Sequence, residues 1–263
     1  MSQRQCLSPE NAGELRSSGS PPILLPTKSN AFGRIQRQCS NSYIRYLRHP
    51  LEVINKGVNG DTTHGALKRL RRIVAYPEYE AVDTYIVGIG TNDVLLPYLT
   101  RISWLWKLQM EPRCRRLQCK TDMKEFAVEY EKYLILLADR QKKMILIGMP
   151  YIELKGYPHE SIRIRNKIIG RLAKKYEVPF IDIYALQMEL ASQPGEYTWK
   201  HRNLTRVGEG VFTAVLPFTK DWFGRMRGLK LTVDGVHYNT ESARVLAVEV
   251  QRHLDRLVKE RNH

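Results

Sequence analysis

The chain has 263 residues, 43% of them apolar, and a formal charge of +15 at pH 7. That is enough apolar material for one domain with a real core. No run approaches eighteen consecutive apolar residues and Met1 to Gly19 is polar, which argues against a spanning helix or a secretory leader and makes a cytoplasmic protein the expectation. The basic excess is concentrated in residues 1–50, 101–120 and 196–230, with seven, six and seven Lys or Arg against two, one and three acids, so it reads as a basic rim on a near-neutral scaffold.

Taken in order, residues 1–22 are rich in Ser, Pro, Gly, Gln and Glu and are expected to form a disordered tail, with a single domain running from 23 to 263. Ile23-Leu24-Leu25, between Pro22 and Pro26, is the first strand, although proline cannot donate to a central ladder. Tyr43, Ile44 and Leu47 predict a helix over Asn41 to Arg48 that Pro50 stops, and Leu51 to Asn55 reads as a second strand. After the turn Lys56 to Gly60, Asp61 or Thr62 caps a helix. Its apolar stripe is Ala66, Leu67, Leu70, Ile73 and Val74, opposite Lys68, Arg69, Arg71 and Arg72.

Thr84 to Asp93 holds the central strand. Its apolar, β-branched run predicts burial on both faces, and the Gly-Thr-Asn-Asp at its end cannot continue it. An insertion over about 95–120 follows, with Ile102, Trp104, Leu105, Trp106 and Leu108 as an apolar stripe. A segment covering the site is preferred there to a membrane-surface helix or plain packed core. Cys6, Cys39, Cys114 and Cys119 match neither a paired Cys-x-x-Cys zinc site nor a disulfide-dense scaffold, so free thiols are expected. A helix over Met123 to Asp139, a strand over Lys143 to Pro150, a helix over Ser161 to Lys175 and a strand over Phe180 to Leu186 continue the alternation, which predicts a parallel sheet with right-handed crossovers. Residues 187–230 interrupt the rhythm as a second insertion. The last helix runs from about Asn239 to Lys259, with Val245, Leu246, Val248, Val250, Leu254 and Leu257 as its buried side.

No Walker-type phosphate loop, His-Glu-x-x-His or Gly-x-Gly-x-x-Gly occurs, which removes the simplest nucleotide and zinc readings. Just before the last helix, Asp234 precedes His237 by three residues. At that spacing a carboxylate can accept the imidazole Nδ1–H, fix the tautomer and leave Nε2 as a general base. Asn92, at the carboxyl end of the central strand, can aim its amide at a ligand bound there.

Gly57-Val58-Asn59-Gly60-Asp61-Thr62-Thr63, Gly90-Thr91-Asn92-Asp93 and Asp234-Gly235-Val236-His237 resemble, in order, the second, third and fifth sequence blocks of the SGNH (GDSL) hydrolase superfamily. The resemblance implies a flavodoxin-like three-layer α/β/α sandwich with a five-stranded parallel sheet, and acyl-ester hydrolysis by a Ser-His-Asp triad without metal or organic cofactor. It makes His237 the base, Asp234 its orienting partner, and the Gly60 N–H and Asn92 amide oxyanion-hole donors.

The first block departs from the pattern. Where the family has Gly-Asp-Ser, this chain has Thr27-Lys28-Ser29, and Ser29 is the expected nucleophile, its own N–H completing the oxyanion hole. A side chain in place of Gly crowds the turn and Lys28 puts a cation where a carboxylate is usual. The alternative function is therefore a catalytically impaired binding protein on the same fold. The basic, aromatic insertions favour a small-molecule or lipid-like ester that is anionic or amphiphilic, with peripheral membrane contact as an option. No nucleic-acid partner is expected, and nothing in the sequence sets the oligomeric state.

Overall fold

The computed structural model describes residues 23–25, 43–48, 53–58, 60–191, 196–200 and 220–259. Five strands, β1 (Ile23–Leu25), β2 (Val53–Asn55), β3 (Thr84–Val87), β4 (Lys143–Ile147) and β5 (Phe180–Ile181), form one parallel sheet in the order β2-β1-β3-β4-β5. That order places β1 in the interior, with Leu25 opposite Asn55 on one side and Leu24 opposite Tyr85 on the other. Pro26 lies outside the described residues. The 2-1-3-4-5 order is that of flavodoxin-like sheets, whose ligands bind beyond the carboxyl ends of the strands.

Alternation along the strands divides the core in two. Tyr85, Val87, Met144 and Leu146 point to one face, where they meet α1 (Thr63–Ile73), α2 (Thr91–Ile102), α4 (Met123–Ala138) and α5 (His159–Lys175). Ile86, Ile145, Ile147 and Ile181 point to the other, against the start of α6 (Ile183–Leu190) and against α8 (Thr240–Lys259), which follows the short α7 (Lys220–Met226). The architecture is thus a three-layer α/β/α sandwich. All four residues of β3 are buried, as expected of a strand covered on both faces.

Several boundaries differ from the sequence expectation. The segment after Asn41 makes only a 3₁₀ turn, Ile44–Tyr46, whose Tyr43 is buried under α8. The fifth strand ends at Ile181 because the Asp182 carboxylate accepts the Ala185 N–H and starts α6. On α8, Val248 is 57% exposed while Ala243, Leu246, Ala247, Val250 and Leu254 are buried. Small alanines fit against the sheet where Val248 was expected.

The insertion is α3 (Trp104–Arg116), set directly after α2 through Ser103, whose hydroxyl accepts the Trp106 N–H. The expected stripe does not hold together: Trp106 is buried, whereas Trp104 and Leu108 are 73% and 68% exposed. Consecutive residues on a helix point 100° apart, so Trp104, Leu105 and Trp106 cannot share one face. Cys114 and Cys119 are not free thiols but a disulfide, with Cα atoms 5.3 Å apart. The left-handed Gln118 (φ 50°) folds the chain back so that Cys119 N–H reaches the Cys114 carbonyl at 3.1 Å. Cys6, Cys39 and the 1–22 tail lie outside the described residues. No helix among the described residues is long and apolar enough to cross a membrane.

Candidate active site

Two groups of residues make up the candidate site. The first is built where β2 and β3 stop. Gly60 is buried and has φ +75°, a left-handed turn that glycine adopts without strain. Thr62 caps α1 by accepting the Gly65 N–H at 3.2 Å, and its hydroxyl donates to the Leu117 carbonyl at 2.5 Å, tying the end of α3 to the start of α1. Asn92, buried in the first turn of α2, donates through Nδ2 to the Asp61 carbonyl at 2.8 Å. This fixes the amide one peptide away from Gly60. Beside it, the buried Asp93 accepts from Thr63 N–H (2.8 Å), Thr63 Oγ1 (2.7 Å) and Lys120 N–H (2.5 Å). Burial raises the Asp93 pKa, and those hydrogen bonds oppose the rise.

The second group is the loop before α8. The Asp234 carboxylate accepts His237 Nδ1–H at 2.6 Å through Oδ2, and through Oδ1 it accepts the backbone N–H groups of Val236 (3.1 Å) and His237 (2.9 Å). The carboxylate is held by its own loop before it holds the imidazole. Gly235, at φ +88°, allows that turn. A Cβ there would meet Leu154 Cδ2 at 2.5 Å and Tyr197 at 3.1 Å. His64 makes a second imidazole–carboxylate contact, with Glu129 at 2.7 Å, but Glu129 is also engaged by Lys132 on the α1–α4 surface.

Helix α3 connects the two groups. Near its start, Trp106 Nε1 donates to the Trp199 carbonyl (2.9 Å), and Trp199 Nε1 in turn donates to the Asp234 carbonyl (2.7 Å), the two indoles stacked at 5.8 Å. Seven residues later, about 10 Å along the axis, the Arg113 guanidinium lies against Gly60. A Cβ at position 60 would fall 2.6 Å from its Cζ.

Ser29, with Thr27 and Lys28, lies outside the described residues. Among the other residues singled out from the sequence, Asp234 meets His237 and Asn92 is anchored beside Gly60. Sequence reasoning missed Glu153. Its buried carboxylate accepts the N–H groups of Lys230 (2.8 Å), Leu231 (3.0 Å) and Thr232 (2.8 Å) and the Thr232 hydroxyl (2.5 Å), while its own N–H donates to Gly235 O (2.8 Å). The available signal was a lone acid inside the apolar Tyr151-Ile152-Glu153-Leu154, since a buried carboxylate requires partners. Trp199 falls within the second insertion, 187–230, where no sequence motif marks it.

A family model described as GDSL-like lipase/acylhydrolase matches residues 20–250. Among solved structures, the chain is similar to a lipase/acylhydrolase from Enterococcus faecalis (19% identity, 88% of this chain and 94% of that one, TM-score 0.52). It is also similar to an acetylxylan esterase from Geobacillus stearothermophilus, solved as a catalytic mutant (16%, 89% and 94%, TM-score 0.55), and to the acetyl xylan esterase AlAXEase (16%, 87% and 97%, TM-score 0.53). At these identities the likeness concerns the fold. No curated protein sequence matches the chain. The family match spans nearly the whole sandwich and both groups of site residues, and the chain belongs to the GDSL-like lipase/acylhydrolase family of ester hydrolases.

Proposed function

We propose that the chain is a serine-type carboxylic ester hydrolase in which Ser29 is the nucleophile, His237 the general base and Asp234 its orienting partner, with the Ser29 N–H, Gly60 N–H and Asn92 amide holding the oxyanion. Ser29 Oγ attacks the acyl carbon as His237 Nε2 takes its proton. Collapse of the tetrahedral intermediate expels the alcohol with that proton, and water then releases the acid by the same route. The observation that carries the reading is the 2.6 Å Asp234–His237 contact, in which a carboxylate anchored by two backbone N–H groups fixes the Nδ1–H tautomer and leaves Nε2 as the acceptor. The buried Asn92 amide supports it, because its placement one peptide from Gly60 suits two N–H groups that converge on one oxygen. The basic residues of α3 favour an anionic or amphiphilic ester.

Hydrolysis of an activated aryl acetate, run beside Ser29→Ala and His237→Ala, tests this. Each variant should keep its fold and lose at least about 10³-fold in kcat. Wild-type turnover unchanged in the variants would remove both residues from the mechanism. No turnover by any of the three, on short or long acyl chains, would favour the alternative drawn from Thr27-Lys28-Ser29, a protein that binds acyl ligands without hydrolysing them.

A further inference from the structure

Helix α3 is apolar on two opposite sides. With about 100° between successive residues, Trp106 and Met110 fall on the side packed against the body, where both are buried. Trp104, Leu108 and Pro112, spaced by four, run along the other side with Leu105 beside them, and all four are exposed. A helix that is apolar all round is ordinarily covered all round. The outer stripe of α3 faces solvent instead, headed by a tryptophan that is 73% exposed, and an apolar patch rimmed by polar residues marks a contact surface.

The charges around the stripe say what it meets. Lys107 flanks it on one edge and Arg116 on the other, Arg115 lies within it, and Arg101 stands three residues ahead of Trp104 at the end of α2, all four exposed. Glu111, the one acid of α3, is paired with Arg115 at 2.7 Å. A second copy of the chain, docked by a two-fold contact, would set like charges against like. An anionic bilayer fits both parts of the surface, because its phosphate layer takes the cations and the hydrocarbon just beneath takes the Trp and Leu side chains. Trp in particular suits a boundary with one wet and one apolar side. The helix is held from behind by the Trp106 bond to Trp199 near its start and the Thr62 bond to Leu117 at its end, so presenting the stripe costs little ordering.

We propose that the outer face of α3 docks the protein on an anionic phospholipid membrane, with Trp104 and Leu108 entering the interface and Lys107, Arg115 and Arg116 meeting the headgroups. The docking goes beyond the hydrolase reading and does not depend on it, since none of these residues belongs to the proposed catalytic machinery. Added salt should weaken it, because screening acts on exposed charges.

The test is sedimentation of the full chain with vesicles of phosphatidylcholine alone and of equal parts phosphatidylcholine and phosphatidylserine. Wild type should bind the anionic vesicles at least about tenfold more tightly than the neutral ones. The double variant Trp104→Ser with Leu108→Ser should lose about tenfold or more on the anionic vesicles. Lys107→Gln with Arg116→Gln should lose a similar factor and show a shallower salt dependence. Trp104→Phe keeps an apolar ring and should still bind, but with a smaller blue shift of tryptophan emission on the vesicles than wild type gives. Far-UV circular dichroism checks that each variant is folded. No binding to either vesicle overturns the proposal, as does equal binding to both, or anionic binding that survives the loss of Trp104 and Leu108. A chain that ignores the vesicles and forms a dimer dissolved by the same double variant would assign the face to a second copy, which also overturns it. None of these measurements requires ester turnover, so failure of the hydrolase reading leaves their outcome unchanged.

Discussion

The two sides of the candidate site are built by different means. Gly60 and Asn92 sit where β2 and β3 give way to α1 and α2, and short-range devices place them: the Thr62 cap, a left-handed glycine and the Asn92 bond to the Asp61 carbonyl. Asp234 and His237 sit on an irregular loop. Their position depends on distant groups, Glu153 from the segment after β4 and Trp199 from the second insertion. A residue at a strand end inherits its place from the sheet, whereas a loop residue has to be fixed by partners remote in sequence. Variants of the two sides should therefore fail differently.

After the losses expected of Ser29→Ala and His237→Ala, the largest effect belongs to the strand-end side and concerns rate. On the proposed mechanism Asn92→Ala removes one oxyanion donor and should lower kcat by about 10²- to 10³-fold. Loss of its bond to the Asp61 carbonyl should cost only about 1 kcal/mol in stability. Steady-state kinetics beside a urea titration would separate the two, and a full-rate Asn92→Ala enzyme would take Asn92 out of the hole. Next comes Glu153→Gln, on the loop side. It sets an amide NH₂ among three backbone N–H donors and a hydroxyl, and should destabilise the fold by about 2–3 kcal/mol. Activity should fall too, since the clamped residues run directly into Asp234. A variant with the wild-type urea midpoint would show that Glu153 does not hold the loop.

The same difference explains what the sequence disclosed. The alternation of strands and helices, the Thr62 cap, the fully buried β3 and the Asp234–His237 spacing are local patterns, and they were legible. Glu153, 77 to 79 residues from the groups it binds, leaves no periodic signal. Trp199, bonded to Asp234 across 35 residues, leaves none either. The α3 stripe misled because Trp104, Leu105 and Trp106 are apolar without sharing a helix face, and of the three it is Trp106 that is buried, stacked on Trp199. The disulfide was missed because a five-residue separation closes only through the left-handed Gln118, a conformation few residues other than Gly, Asn and Asp signal in advance.

A smaller effect should come from Thr62→Ala, which removes the α1 cap and the tie to Leu117 together. About 1–2 kcal/mol of stability is expected to go. Thr62→Ser retains the hydroxyl and should recover most of the loss. If serine does not rescue, the hydroxyl is not what joins α1 to α3.

The smallest effect is a pH dependence, and it arises beside the Glu153 segment. His159, at the start of α5, stacks on Tyr151 at 4.5 Å, meets the Tyr157 ring edge-on at 5.4 Å and contacts the Tyr184 hydroxyl at 3.2 Å. Burial among these rings lowers its pKa below the ordinary 6.5, Arg163 adds to the fall, and a backbone hydrogen bond with Ile152 opposes it. The helix N-terminus also disfavours a cation. Below 6.5 the unfolded chain binds a proton that the folded chain still refuses, so stability decreases as pH falls from 6.5 to the lowered folded value and is fully present above 6.5. His159→Gln abolishes that titration. Its unfolding free energy should therefore change less between pH 7 and pH 5 than the wild-type value does. Equal slopes in urea titrations across that interval would mean that the aromatic cluster does not couple His159 to folding.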